Sequence, residues 1–232
     1  MKPVDIYEIL NKAYFGENVD ENLVIKNLDK ILLPNNYFID AGASLGQFTL
    51  RAAQIISNSN GKIASFEPDP IRNLKLVENC HDWSLKFNLR IDCEESALSN
   101  QHGSIIFHST NSNVSGGLFK HDLNHLSEEH LKNVEWSEIE VPTTTLDSYV
   151  GDECPDLVKM DIEGAELRVL QGAKEILSFA KTTFLIELHD WYDPNGQSGI
   201  GDVISFFDQY DYVEEKFFGK SLFRHKNRDF SF

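Results

Sequence analysis

Two stretches of the chain carry residues whose types and spacing could do chemistry. The first is Asp40-Ala41-Gly42-Ala43-Ser44-Leu45-Gly46, with Glu67-Pro68 downstream. A short apolar run, Tyr37-Phe38-Ile39, delivers Asp40 at its end. A helical pattern follows (Phe48, Leu50, Ala52, Ala53, Ile55, Ile56), and then a second apolar run closes on Glu67. In an open α/β sheet, ligands bind outside the carboxyl ends of the strands. Glycines there let the backbone come close, and an acid at the end of the next strand can take ribose hydroxyls. The spacing therefore points to a cofactor built on adenosine.

The loop itself selects among such cofactors. A dinucleotide fingerprint needs G-x-G-x-x-G, with the helix N-terminus left for a pyrophosphate. Counted from Gly42, the second and third glycine positions hold Ser44 and Gln47. A carboxylate at Asp40 would repel a pyrophosphate, but it suits a ligand with an ammonium and a sulfonium, such as S-adenosylmethionine. Against this stands a plainer role for the glycines as turn residues. Glu67 at the second strand end weighs for the cofactor.

The second stretch is Val158-Lys159-Met160-Asp161-Ile162-Glu163-Gly164-Ala165-Glu166. An apolar strand ends at Asp161, and Glu163 and Glu166 follow as a helical pattern begins. Acids at a helix start can simply satisfy free N–H groups and complement the dipole. That accounts for one or two of them, but not for Asp161 on the strand end, which is expected to face the same crevice as Asp40 and Glu67. The next strand closes on Glu187-Leu188-His189, where alternation puts Glu187 and His189 on one side. His189 is the candidate general base for a hydroxyl and Asp161 its orienting acid. Alternatively, Asp161, Glu187 and His189 could hold a divalent cation such as magnesium, which would acidify the hydroxyl.

These residues need elements to position them. From Tyr37 the chain alternates strand and helix patterns. Strands are expected at 37–40, 62–67, 88–93, 157–161 and 183–188, with helices starting near Leu45, Ile71, Ala165 and Ile200. This is an α/β chain with a mostly parallel central sheet and right-handed crossovers. Residues 212–218 and 222–225, around Gly219-Lys220, read as a closing antiparallel hairpin. Residues 1–36 read as an N-terminal helical cap and 37–232 as the cofactor-binding domain. An insertion of about 104–143 interrupts the alternation, with strands at 104–108 and 139–143 and a charged helical segment at 121–134.

Bulk properties exclude several classes of function. At 232 residues the chain is long enough for one well-cored domain. Its net charge of -16 argues against a nucleic-acid partner and against an anionic membrane surface. Three scattered cysteines form no disulfide framework or zinc pattern, and no run reaches the roughly 18 apolar residues of a membrane span. A cytoplasmic protein is expected, with a homo-oligomer left open.

Taken in order, the motifs resemble FkbM-type methyltransferases. The resemblance rests on Phe38-Ile39-Asp40-Ala41-Gly42-Ala43, Phe66-Glu67-Pro68, Thr145-Leu146-Asp147, Lys159 to Glu166, and Ile186-Glu187-Leu188-His189, and it covers roughly 38–189. It implies a Rossmann-like class I methyltransferase fold and O-methylation, dependent on S-adenosylmethionine, of a sugar, glycan or secondary-metabolite hydroxyl. It also implies that Asp40, Gly42 and Gly46 line the methionine end of the cofactor, and that Glu67, with Pro68, lines the ribose. The turn Glu94-Glu95-Ser96-Ala97 would meet the adenine, with Glu95 at its amino group. Ser44 stands where the family usually has asparagine and is expected to cap the helix. Residues 1–36 and 109–134 lie outside the matching motifs, and acceptor choice is expected to reside there. The rivals are an NAD-dependent Rossmann oxidoreductase and a cofactor-binding module that has lost its chemistry.

Overall fold

The structure is a computed structural model that describes residues 19–110, 117, 135–189 and 199–228. The expected charged helix at 121–134 lies outside the described residues. Among the described residues, ten strands form two sheets. The main sheet holds β1 (Tyr37–Ala41), β2 (Lys62–Phe66), β3 (Arg90–Glu94), β7 (Leu157–Met160), β8 (Thr183–Ile186), β9 (Tyr212–Phe217) and β10 (Lys220–His225). Their spatial order is β3-β2-β1-β7-β8-β10-β9. Every pairing from β3 to β8 is parallel, and β10 runs antiparallel to both β8 and β9. The expected mostly parallel sheet with a closing antiparallel hairpin is thus present.

The order has a consequence for function. The chain builds outward from β1 through β2 to β3, and then returns to place β7 on the other side of β1. The crevice between β1 and β7 is therefore the switch point where ligands bind in such sheets.

The central strands are continuous apolar runs because both their faces are covered. Residues 38–41, 63–66, 157–160 and 183–186 are all buried. One face packs Ile39, Val158, Phe184 and Phe207 into a single cluster, in which Phe207 stacks on Phe223 at 4.0 Å between centroids. The other face packs Phe38, Ile63, Leu157 and Leu185 against helix α2 (Gln47–Ile56). Val24 and Ile25 of α1 (Val19–Lys26), together with Leu28 and Leu32 after it, belong to this second cluster. Val24, Ile25, Leu28 and Leu32 thus pack into the core on this face of the sheet. Each of these side chains contributes roughly 1.5–3 kcal/mol by leaving water.

Helix α3 (Pro70–Phe87) starts where the sequence signals it, with Asp69 as N-cap and Pro70 in the first turn. The helix expected from Ala165 is broken at Gly172 into α5 (Glu166–Gln171) and α6 (Lys174–Ser178). A β-carbon at Gly172 would lie 2.2 Å from the Ser99 carbonyl oxygen, so a side chain at this break would block that close approach. Thr145-Leu146-Asp147 has a structural job there. Thr145 caps α4 (Leu146–Val150), and the Asp147 carboxylate accepts the N–H groups of Glu175 and Ile176 at 3.0 Å. Helix α7 (Ile200–Asp208) leads into the hairpin.

The insertion forms the second sheet: β4 (Ala97–Leu98), β5 (Gly103–Thr110) and β6 (Trp136–Thr144), in the order β4-β6-β5. It begins immediately beyond β3. Ser109 at the far end of β5 donates to the Asp69 carboxylate, which ties the insertion to the start of α3. The insertion is thereby held over the carboxyl edge of the main sheet.

Candidate active site

A cavity of about 390 Å³ opens at that carboxyl edge, within the range of small-ligand sites. Its floor is the turn after β1. Gly42 adopts φ +73°, and a β-carbon there would sit 1.9 Å from the Asp161 carbonyl oxygen. The two strand ends can approach only because Gly42 has no side chain. Gly42 and Ala43 donate their N–H groups to the Phe66 carbonyl (3.0 and 2.9 Å), so the turn is hung from the end of β2. Gly46 also has a left-handed φ, +93°, but it packs under Leu76 and Trp83 and does not line the cavity.

The structure corrects one expectation here. Ser44 does line the cavity, but it does not cap the helix. Gly46 is the N-cap and makes no side-chain cap bond, while the Ser44 N–H donates to Glu67 Oε2 at 2.8 Å. The turn reaches sideways to the acid rather than forward to the helix.

Glu67 is 5% exposed and lines the cavity at the end of β2. Its other oxygen accepts the Asp69 N–H at 3.0 Å. Burial pushes its pKa up to about 7, opposed by the two backbone donors and by Arg72. Two fixed N–H bonds hold the carboxylate in place, which is what a pair of ribose hydroxyls needs. Pro68, Ser96 and Ala97 line the same wall, joined by Leu98, Phe107 and Thr110 of the inserted sheet. Glu95 is exposed and is not among the residues that line the cavity.

Asp40 is placed differently from the sequence expectation. It is 0% exposed and does not line the cavity. Its Oδ2 accepts a hydrogen bond from Thr49 Oγ1 at 2.7 Å, and Thr49 in turn lies 2.8 Å from Ser65 Oγ. Its Oδ1 lies 3.2 Å from the Nζ of Lys159, which also donates to the Gly42 carbonyl at 2.8 Å. Burial alone would lower the Lys159 pKa. Asp40, Asp161 and Glu21 outweigh it, and the ammonium holds its proton above the usual lysine range. The negative charge of Asp40 is thus held beneath the turn, and Lys159 of β7 lines the cavity beside it.

Asp161, Ile162, Glu163 and Ala165, in the turn after β7, form the opposite wall. Glu163 has φ +54° and Gly164 φ +94°, which fold this turn back toward β8. There His189 stands behind the wall without lining the cavity. Its Nδ1–H donates to Glu166 Oε1 at 3.0 Å, and its Nε2 lies 3.4 Å from Glu163 and 3.8 Å from Asp161. Burial works against the imidazolium, but the bond to Glu166 and the charges of Glu163 and Asp161 prevail, and the pKa rises to about 9. At neutral pH the ring is a cation set among carboxylates. Glu187 also stays out of the cavity lining, in an ion pair with Lys220 of the hairpin. Asp161, Glu187 and His189 do converge, with one ligand atom from each within 4.8 Å of the others.

Sequence reasoning missed three contributors. Glu21 comes from α1 and lines the cavity. It sits in a short helix with no motif around it, so nothing local flags it. Lys159 was visible as a lone charge inside Leu157-Val158-Lys159-Met160, a pattern that demands a buried partner. Arg72 lines the cavity from the first turn of α3 and pairs with Asp69 at 2.8 Å.

Comparison with known proteins resolves the class. A family model described as the methyltransferase FkbM domain matches residues 40–214. The chain belongs to the FkbM methyltransferase family. A curated relative, 2-O-methyltransferase NoeI of Sinorhizobium fredii, is 29% identical over 192 residues, covering 78% of this chain and 75% of that protein. Among solved structures, methyltransferase FkbM from Methylobacillus flagellatus superposes with a TM-score of 0.56 at 17% identity. That match covers 84% of this chain but only 44% of the other, so this chain spans under half of that protein's length. A protein described as an rRNA-methylase from Clostridium thermocellum gives a TM-score of 0.50 at 11% identity, over 88% of this chain and 93% of its own. At these identities both speak for the fold alone, which is the class I methyltransferase fold. The FkbM-family chain is an S-adenosylmethionine-dependent methyltransferase, and the nicotinamide reading is set aside. Among the described residues, no helix is long and apolar enough to cross a membrane.

Proposed function

We propose that this methyltransferase acts on a hydroxyl oxygen of a small-molecule or glycan acceptor, in the sugar or secondary-metabolite class. The observation that carries the reading is one cavity with two different walls. A fixed carboxylate, Glu67, suits the cofactor's ribose, and a second carboxylate, Asp161, stands across the glycine turn from it. When bound, S-adenosylmethionine supplies an activated methyl group on a sulfonium centre. The protein's own work is to align the acceptor oxygen with that group and to take the hydroxyl proton.

Asp161 suits the second task, since the residue lines the cavity and its side chain is 28% exposed. His189, expected from sequence to be the base, stands behind Asp161 and is protonated at neutral pH. In this reading Asp161 accepts the proton, while the His189 cation positions Asp161 and Glu163 and steadies their charge. Replacing Asp161 with Asn is expected to lower kcat by roughly two to four orders of magnitude with cofactor affinity little changed. Full turnover in that variant would remove Asp161 from the mechanism.

A second reading gives Asp161, Glu187 and His189 to a divalent cation, on the strength of their convergence. Such an ion would have to displace the proton on His189 and the ion pair between Glu187 and Lys220. Both displacements weigh against it. Turnover that persists in chelator and does not rise with magnesium supports the metal-free mechanism, and strict magnesium dependence supports the ion. The three cysteines are free, and the reducing cytoplasm is the setting we propose. The direct test of the whole reading is calorimetric titration with S-adenosylmethionine and, separately, NAD, followed by a screen of sugar and polyketide hydroxyls for methyl transfer. Binding of neither cofactor would overturn it.

A further inference from the structure

Gln47 is the first residue of helix α2, lines the cavity and is only 4% exposed. Its amide nitrogen, Nε2, is buried and has no hydrogen-bond partner among the described residues. Thr49, the other buried polar residue of α2, donates to Asp40 and lies 2.8 Å from Ser65 Oγ. A buried N–H left unpaired costs about as much as a lost hydrogen bond, so native proteins keep few of them. Asp40 Oδ1, His108 Nδ1 and Tyr212 Oη are also buried without a hydrogen bond, but none of these three residues lines the cavity. The orphaned amide of Gln47 therefore stands where a ligand would come.

Its position indicates which part of the ligand it meets. Ribose held by Glu67 sits at the end of β2, and the wall from Ser96 to Leu98, beyond β3, is the side left for the adenine. The amino-acid end of the cofactor then runs the other way, over the turn after β1, which leads into Gln47. Strands β1 and β2 are neighbours, about 4.8 Å apart, a step that a methionyl chain spans. The start of α2 is rich in donors. Gly46, its N-cap, makes no side-chain cap bond, and the first N–H groups of a helix have no partner within it. The helix dipole adds partial positive charge there. An amide N–H beside such a terminus suits a carboxylate.

We propose that Gln47 donates a hydrogen bond from its amide to the carboxylate of the cofactor's methionyl group. This rests on the reading that the cavity takes S-adenosylmethionine. The last torsion of a glutamine side chain is soft, so turning the amide N–H toward the cavity costs little. Binding then pairs an N–H that the protein leaves unpaired. Glu21 and Asp161 also line the cavity, but the methionyl head group is a zwitterion, and its carboxylate takes the donors of α2. Phe48, Leu50 and Ala52 are buried, so Gln47 is presented on an anchored helix.

The test compares two ligands that share adenosine and differ in the amino-acid head group. S-adenosylhomocysteine has it, and 5′-methylthioadenosine lacks it. Gln47→Met keeps the length of the side chain and removes the amide. Calorimetry should show its S-adenosylhomocysteine affinity falling about tenfold or more, as for loss of a hydrogen bond to a charged group, with 5′-methylthioadenosine unaffected. Its Tm without ligand should hold or rise, because no hydrogen bond is lost there. Gln47→Glu, nearly isosteric, sets an acid against the carboxylate and at alkaline pH should weaken S-adenosylhomocysteine at least as much. Equal weakening of both ligands together with a lower Tm would overturn the proposal, as the signature of a packing residue. Unchanged affinity for S-adenosylhomocysteine in both variants would also overturn it. Failure of the wild type to bind S-adenosylhomocysteine would overturn the cofactor reading itself, a result visible before any variant is made.

Discussion

Replacing Lys159 with Met should be among the most damaging single changes in this protein, although no ligand need be present to see it. The ammonium and the Asp40 carboxylate lie 3.2 Å apart with side chains 6% and 0% exposed. Met removes the cation and leaves Asp40 buried as an uncompensated anion, with only Thr49 as donor. Breaking a buried pair in this one-sided way costs about 3–5 kcal/mol. For a domain of this size, 1 kcal/mol moves Tm by roughly 2–4 °C, so the shift is about 6–20 °C downward. The double variant Asp40→Asn/Lys159→Met removes both charges, and its amide can still accept from Thr49. It should recover most of the loss and end within about 1–2 kcal/mol of wild type. Urea denaturation of the four proteins in the cycle measures the coupling directly. A single variant that loses under about 1 kcal/mol, or a double variant no better than the single, would refute the claim that this pair is buried and mutually dependent.

Other expectations concern the turn, the histidine and the acid. Gly42→Ala forces a β-carbon into the Asp161 carbonyl at a positive φ, so cofactor binding should be lost and thermal stability reduced; near-normal calorimetry would contradict the contact. His189 has a folded pKa of about 9 against 6.5, so its stabilising contribution is full below about pH 6.5 and is lost as pH rises through 9. Tm should fall between pH 7 and 9.5, and His189→Gln should flatten that slope. Glu67 has a folded pKa of about 7 against 4.5, so the native state holds its proton more tightly than the unfolded chain does between those values. Its contribution to stability declines as pH rises from about 4.5 to 7, and wild type should lose more stability over that interval than Glu67→Gln. A flat difference between the two proteins would show that Glu67 titrates normally.

Much of this molecule was legible in its sequence because the relevant signals are local. Apolar runs ending on Asp40, Glu67 and Asp161 mark buried parallel strands, since a strand covered on both faces has no polar positions to spare. The helix expected near Ile71 starts at Pro70 behind its Asp69 cap, and Gly219-Lys220 marks the hairpin turn through glycine's access to positive φ. The glycine at 42 could be assigned to a close approach, although not to the Asp161 carbonyl that approaches it. The strand–helix alternation, the closing hairpin and the class of cofactor followed from these, while strand order and register did not.

What only the tertiary structure decided is the destination of each charge. Asp40 and His189 were reasonable ligand and base candidates by position. Whether a carboxylate faces a ligand or a buried lysine depends on a residue more than a hundred positions away, as in the pair of Asp40 with Lys159. The surroundings of His189 are set by Glu163 and Glu166, from a different strand end, which converge on it and raise its pKa. Glu21 enters the cavity because α1 docks by its apolar residues, and nothing in its neighbours along the chain specifies that. Sequence sets which groups can ionise and where the strands end. Long-range packing sets the dielectric and the partners around them, and those determine what each group does.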